Sequence, residues 1–179
     1  VLIAIALTGS PSIIIADEPT TALDVTIEAQ ILDLLKDLQK TLGTSTILIT
    51  HDLGVIAKLC DRVLVMYGGK IVERGTAEEI FYETSHPYTM GLMKSIATLD
   101  TDKNQALVPI DGTPPDLFAP PHGCPFAARC QYCMEICREE MPEEHVLSQE
   151  HKCSCWLMHE DAPKVDLRAG VVLEGGSHE

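Results

Sequence analysis

The sequence predicts an α/β fold followed by a small cysteine-rich module, and three observations point to it. Two short runs rich in β-branched residues, "SIIIAD" and "STILIT", flank one amphipathic helical stretch, the order expected of neighbouring strands in a parallel sheet. A double glycine, Gly68-Gly69, splits "RVLVMYGGKIVERG" into the two strands of a hairpin. Six of the seven cysteines then fall between Cys124 and Cys155, in a stretch with few large apolar residues.

Taken in order, residues 1 to about 9 read as the end of an apolar helix closed by Gly9, and "SIIIAD" reads as a short strand buried on both faces. From Thr26 onward Ile27, Ile31, Leu34, Leu35, Leu38 and Leu42 recur at helical spacing, with Gly43 placed as a C-cap. "STILIT" is a second buried strand and "DLGVIAKLC" a second helix, with Cys60 on its apolar side as a packed thiol. Thr76 and Glu79 are spaced as a capping box for a short helix, and Pro87 fits the first turn of another. Residues 98–123 carry five prolines without periodicity and read as an extended linker. The polar stretch after about Asp161 reads as a mobile tail. The expected organisation is therefore a core over residues 1–83, a helix and linker over 84–123, the cysteine module over 124–157 and the tail over 158–179.

The formal net charge is -14, which argues against a broad phosphate-binding surface and so against nucleic acid as partner. No apolar run reaches the roughly 18 residues of a membrane span, and no charged leader precedes an apolar core. The chain reads as cytosolic, where clustered cysteines are metal ligands or packed thiols before they are disulfides.

At the end of the first strand stand two adjacent acids, Asp17 and Glu18. A buried strand that delivers Asp then Glu at its carboxyl end is the Walker B arrangement of nucleotide-hydrolysing α/β proteins, whose ligands gather at that end of a parallel sheet. Asp17 can hold Mg2+, a small hard cation that prefers oxygen. Glu18 can polarise or deprotonate an attacking water. His51 follows the second strand, at the same end of the sheet, where an imidazole can contact a γ-phosphate and hold water in register. Asp24 is placed to cap the helix that follows it.

Among the cysteines zinc is the default reading, Cys130-x-x-Cys133 making one natural pair and Cys153-x-Cys155 a weaker second, with His151 in reserve, and a metal would supply folding energy that so small a module lacks. An iron–sulfur cluster also needs four thiolates, and spacing alone admits either. The histidines His86, His122, His145, His159 and His178 show no ligand spacing.

"ADEPTTALD", followed after a helix and a strand by "ILITHDLGVIAKLCDRVLVMYGGKIVERG", resembles the nucleotide-binding domain of ATP-binding cassette (ABC) transporters over about residues 1 to 83. The resemblance implies a P-loop NTPase core, present in part. It implies Asp17 as the Walker B acid toward Mg2+, Glu18 as catalytic base, Ala22-Leu23-Asp24 as the D-loop at a dimer interface, and His51 as the switch histidine. No G-x-x-x-x-G-K-S/T loop occurs, and the family's signature motif, which would precede the first helix, is absent. The expectation is the C-terminal part of a longer subunit, inactive by itself for want of the groups that cradle ATP.

"SHPYTMGLMKSI", "IDGTPPDL" and "GCPFAARCQYCMEIC...HKCSCW" resemble the C-terminal extension of oligopeptide, dipeptide and nickel importer ATPases. That resemblance implies a 4Fe-4S cluster on Cys124, Cys130, Cys137 and Cys155, with Cys133 and Cys153 as additions and zinc as the alternative. It marks His86-Pro87 as a family feature without assigning it chemistry. It further implies a second ABC ATPase subunit, integral membrane permease subunits, an extracytoplasmic peptide-binding protein acting indirectly, and a peripheral position on the cytoplasmic face of the cell membrane. Two rival readings are a soluble ABC-type ATPase acting on nucleic acid or the ribosome, and a metal- or redox-sensing module beside a vestigial ATPase half.

Overall fold

The computed structural model describes residues 2–21, 23–95 and 110–167. Val1, Ala22, residues 96–109 and residues 168–179 lie outside the described residues, and with them Ala22 of the expected D-loop, Pro109 and much of the linker, and most of the expected tail. The chain divides into two compact units, residues 1–60 and 61–179. The division falls earlier than the expected boundary after residue 83, because the hairpin pairs with the cysteine segment.

In the first unit, α1 (Leu2–Leu7) leads to β1 (Ile13–Asp17), α2 (Val25–Leu42), β2 (Ser45–Ile49) and α3 (Leu53–Leu59). β1 and β2 pair in parallel, with Ile13 opposite Ser45 and Asp17 opposite Ile49. A parallel pair needs a long crossover, and α2 supplies it. Asp24 starts α2 by accepting hydrogen bonds from the Thr26 and Ile27 amides, both at 3.0 Å. Gly43, at a φ of 66°, closes it with its N–H on the Gln39 carbonyl, a left-handed cap that glycine takes without a Cβ penalty. Asp52 caps α3 in the same way through Gly54 and Val55.

The two strands are not buried on both faces as expected. Ile14 and Ala16 are covered, whereas Ile13, Ile15, Ile47 and Ile49 are each about half exposed or more. Among the described residues the sheet of this unit has two strands, and none of the unit's described residues covers its second face. The apolar run identified the strand, but only one of its faces finds a partner.

In the second unit, β3 (Arg62–Tyr67) and β4 (Lys70–Thr76) form the expected antiparallel hairpin. Gly68 and Gly69 have φ of 56° and 77°, both in the left-handed region that a two-residue turn of this hand requires. α4 (Ala77–Tyr82) opens with the expected capping box, Thr76 and Glu79 each serving the other's backbone, and α5 (Pro87–Lys94) has Pro87 in its first turn. The cysteine segment adds a short helix α6 (Ile136–Glu139) and two brief strands, β5 (His145–Val146) and β6 (Lys152–Cys153). β6 pairs antiparallel with β4, placing Cys153 opposite Glu73, so the sheet order is β3-β4-β6-β5. The cysteine segment is thus part of the core: Val72, Ile80, Met90, Met93, Phe126 and Cys153 are all buried together with the hairpin's Val63 and Val65.

Candidate functional sites

The first site lies at the carboxyl end of β1. Glu18 leaves the strand at a φ of +43°, a conformation that non-glycine residues adopt rarely and that accompanies functional turns. Its amide donates to the Ile49 carbonyl at 2.8 Å, which extends the β1–β2 ladder by one rung and fixes where the side chain begins. One carboxylate oxygen accepts from the Thr21 hydroxyl at 2.7 Å, and the other lies 3.0 Å from His51 Nδ1. The Thr21 hydroxyl first, and His51 second, hold the Glu18 carboxyl below the usual carboxylate range, so it is ionised at neutral pH. When His51 Nδ1 donates to this carboxylate, Nε2 is left facing outward, and the His51 side chain is exposed.

Residues 33 positions apart in the chain therefore meet because β1 and β2 run parallel and end together. Asp17, the last residue of β1, is exposed beside Glu18, with carboxylate oxygens suited to a hard cation. Asp24 is engaged as the α2 cap. The sequence singled out Glu18 and His51 but not Thr21, although a hydroxyl three residues beyond an acid in a turn is a recognisable partner for it.

The second site is a cavity lined by Cys124, Cys130, Cys137 and Cys155, with His86, Phe126, Ala127, Pro142 and Trp156 among its walls. Cys124 and Cys137 are brought together by the Cys124 amide on the Cys137 carbonyl, 2.8 Å. The crossing is so close that a Cβ on Gly123 would strike the Cys137 carbonyl oxygen and the Arg138 backbone. Burial pushes all four thiols up, Cys130 to about 11 and Cys155 to about 12. Such thiols stay protonated unless a cation offsets the charge of the thiolates.

Among the described residues no three His, Cys, Asp or Glu side chains are grouped so as to hold one metal ion. The zinc expectation meets that difficulty residue by residue. Cys153 is fully buried opposite Glu73 and does not line the cavity, and Cys133 donates from Sγ to the Met134 carbonyl while also hydrogen-bonding Cys137. His151, held in reserve for zinc, instead places Nε2 2.9 Å from Glu73. A four-iron cluster asks for a different geometry, because each of its irons takes its own thiolate and the thiols need not converge on one point. Four thiols lining one cavity are a donor set of the kind that such a cluster takes.

His86 is the residue that spacing passed over. It caps α5, its Nδ1 accepting from the Tyr88 amide at 3.0 Å, and burial lowers its imidazole to about 4. Its backbone N–H and that of Ser85 both donate to the carboxylate of Glu73. Its Nε2 is buried with no hydrogen-bond partner, in a residue that lines the thiol cavity. The signal was present in the sequence, a histidine directly before the proline that starts a helix, but its direction required the fold.

No helix among the described residues is long and apolar enough to cross a membrane. Residues 72–137 match the family described as oligopeptide/dipeptide transporter, C-terminal region. The chain is 57% identical over 166 residues to the oligopeptide transport ATP-binding protein OppD of Bacillus subtilis, covering 93% of this chain and 46% of that protein. It is 56% identical over 162 residues to the dipeptide transport ATP-binding protein DppD of the same organism, covering 90% and 48%. To the oligopeptide transport ATP-binding protein AmiE of Streptococcus pneumoniae it is 52% identical over 171 residues, covering 96% and 48%. The chain spans about half the length of these curated relatives.

Proposed function

From a chain that is a homologue of oligopeptide and dipeptide transport ATP-binding proteins and carries the C-terminal region of their family, we propose the C-terminal part of an ATP-hydrolysing subunit that energises peptide import. The observation that carries this reading is the 3.0 Å pairing of Glu18 with His51 at the end of a parallel strand pair. In it, Glu18 takes the proton of the attacking water, and its ionised state at neutral pH leaves it ready to do so. His51 orients the carboxylate through Nδ1 and offers Nε2 to a phosphate oxygen or to the same water. Thr21 holds the other carboxylate oxygen, so Glu18 has one orientation rather than several.

Asp17 would hold Mg2+, which when bound offsets the charge of the nucleotide phosphates. The residues that grip ATP itself are not in this sequence, so the chemistry belongs to the longer subunit. In this reading residues 1–83 belong to the ATPase half although their hairpin packs in the second unit, with 84–123 as the connection, 124–157 as the cysteine module and 158–179 as the tail. Asp24 would add a contact across a dimer interface to its capping of α2. The partners are a second ABC ATPase subunit and membrane permease subunits, with an extracytoplasmic peptide-binding protein acting indirectly, at the cytoplasmic face of the membrane. Mg-ATP would close two such subunits and hydrolysis would reopen them.

For the cysteine module the reading is a 4Fe-4S cluster on Cys124, Cys130, Cys137 and Cys155. What supports it is that these four line one cavity, with Cys133 hydrogen-bonded to Cys137 beside them and Cys153 buried on β6 outside the lining. When bound, the cluster supplies an electron-accepting centre or a structural staple. The chain's own part is to supply four thiols, an apolar wall and Gly123, which lets the two cysteine-bearing segments cross.

In the full-length subunit Glu18→Gln should retain ATP binding and lose turnover by about 10²–10⁴-fold. Near-normal hydrolysis by that variant overturns the assignment.

A further inference from the structure

His86 has a donor with nothing to serve. Nδ1 accepts from the Tyr88 amide, which places the proton of the neutral ring on Nε2. That atom is buried and without a partner, in a residue only 1% exposed. A buried N–H is almost always paired, so an orphan calls for an explanation such as a group not bound here. The ring cannot turn away easily. Glu73, itself 1% exposed, accepts the backbone N–H groups of Ser85 and His86, at 2.6 and 3.2 Å, and Phe126 packs at 6.0 Å between ring centroids. His86 is itself among the residues that line the cavity of Cys124, Cys130, Cys137 and Cys155.

We propose that His86 is a positioning residue for the group held by those thiols, its Nε2–H donating a hydrogen bond to a thiolate or sulfide sulfur and raising the reduction potential of the cluster. The inference rests on the iron–sulfur reading of the cavity. A hydrogen bond to sulfur withdraws electron density and stabilises the reduced, more negative state, which is how such bonds tune cluster potentials. Glu73 contributes by holding the backbone from which the ring projects, and the α5 cap fixes the tautomer. The His-Pro pair is then one device: the proline starts the helix, and the histidine caps it with one nitrogen and keeps the other for the bound group.

The test uses the full-length subunit purified anaerobically with its iron and sulfide. His86→Leu should keep the iron and sulfide content of the wild type and shift the midpoint potential downward, and His86→Gln, which keeps an N–H donor, should recover part of the shift. A loaded His86→Leu protein with an unmoved potential overturns the inference and leaves the cluster reading intact. Wild-type protein that takes up neither iron nor sulfide overturns both. Should the variants fail to load, electron–nuclear double resonance on the reduced wild-type cluster reads the same bond in protein labelled with 15N-histidine. A 15N coupling with an exchangeable proton supports the inference, and their absence overturns it.

Discussion

Glu73 on β4 and His151, just ahead of β6, share a 2.9 Å hydrogen bond across 78 positions of sequence, with side chains 0% and 3% exposed. The same carboxylate takes the amides of Ser85 and His86. One acid thus joins the hairpin, the start of α5 and the cysteine segment.

This pair sets a pH dependence. The hydrogen bond that His151 Nε2 donates to Glu73 raises the His151 pKa above its ordinary value of 6.5. Between the unfolded value and the raised folded one, the folded chain holds a proton that the unfolded chain has released. The pair's stabilisation is therefore complete below the unfolded pKa and is lost as pH rises through the folded one. Urea unfolding between about pH 6 and 9 should show stability falling as pH rises, with a flatter dependence in Glu73→Gln. Glu73→Ala should cost about 3–5 kcal/mol, the usual consequence of breaking a buried ion pair from one side. A wild-type slope retained in Glu73→Gln would place its origin elsewhere.

Thr21 offers a test of how Glu18 is tuned. Its hydroxyl is the leading cause of the lowered Glu18 pKa, ahead of His51. In the full-length subunit, Thr21→Val should move the acid limb of the turnover profile to higher pH while leaving the plateau rate at neutral pH close to wild type. His51→Ala should move the same limb in the same direction and also lower the plateau. If Thr21→Val leaves the limb in place, the hydroxyl does not tune the working carboxylate.

Asp24 can be separated into its two roles. As the α2 cap it accepts two amides, and Asp24→Ala should destabilise the first unit by about 0.5–2 kcal/mol. Asp24→Ser restores the cap but not the charge or reach of the side chain. A serine variant with wild-type melting and impaired ATP-driven dimerisation would separate interface from cap, whereas full dimerisation would leave capping as the only role.

Gly123 predicts a steric limit. A Cβ there meets the backbone of Cys137 and Arg138, which cannot yield as a flexible side chain would. Gly123→Ala should cost about 1–3 kcal/mol by overpacking and lower the retained iron, measured by chelation assay on anaerobically purified protein. Wild-type iron content and wild-type stability together would show that the crossing relaxes.

The elements that the sequence disclosed are those whose signals lie within a few residues. The Thr76–Glu79 box, the Asp24 and Gly43 caps, Pro87 and the Gly68-Gly69 turn each depend on neighbours at most four positions away. The pairing of Glu18 with His51 was legible as well, because both follow apolar strands and strand ends coincide in a parallel pair. Three features were not. β6 has two residues and carries no periodicity, so its pairing with β4 left no trace. The partner of His151 depended on that pairing, and the burial of His86 Nε2 beside the thiols depended on a cavity assembled from four separate parts of the chain. Burial of the β1–β2 sheet was overestimated because an apolar run reports the affinity of a strand for cover, not whether the cover is supplied by the same residues.

The position of β6 has a consequence for association. At Glu73 and Arg74, β4 is flanked by β3 on one side and β6 on the other, so its backbone there cannot template a strand from another molecule. Beyond β6 the sheet ends in β5, two residues long, too short to recruit an intruder. Sheets left with long open edges aggregate. The cysteine segment thus shields β4 at Glu73 and Arg74, and disturbing it would bare a second open edge beside that of β3.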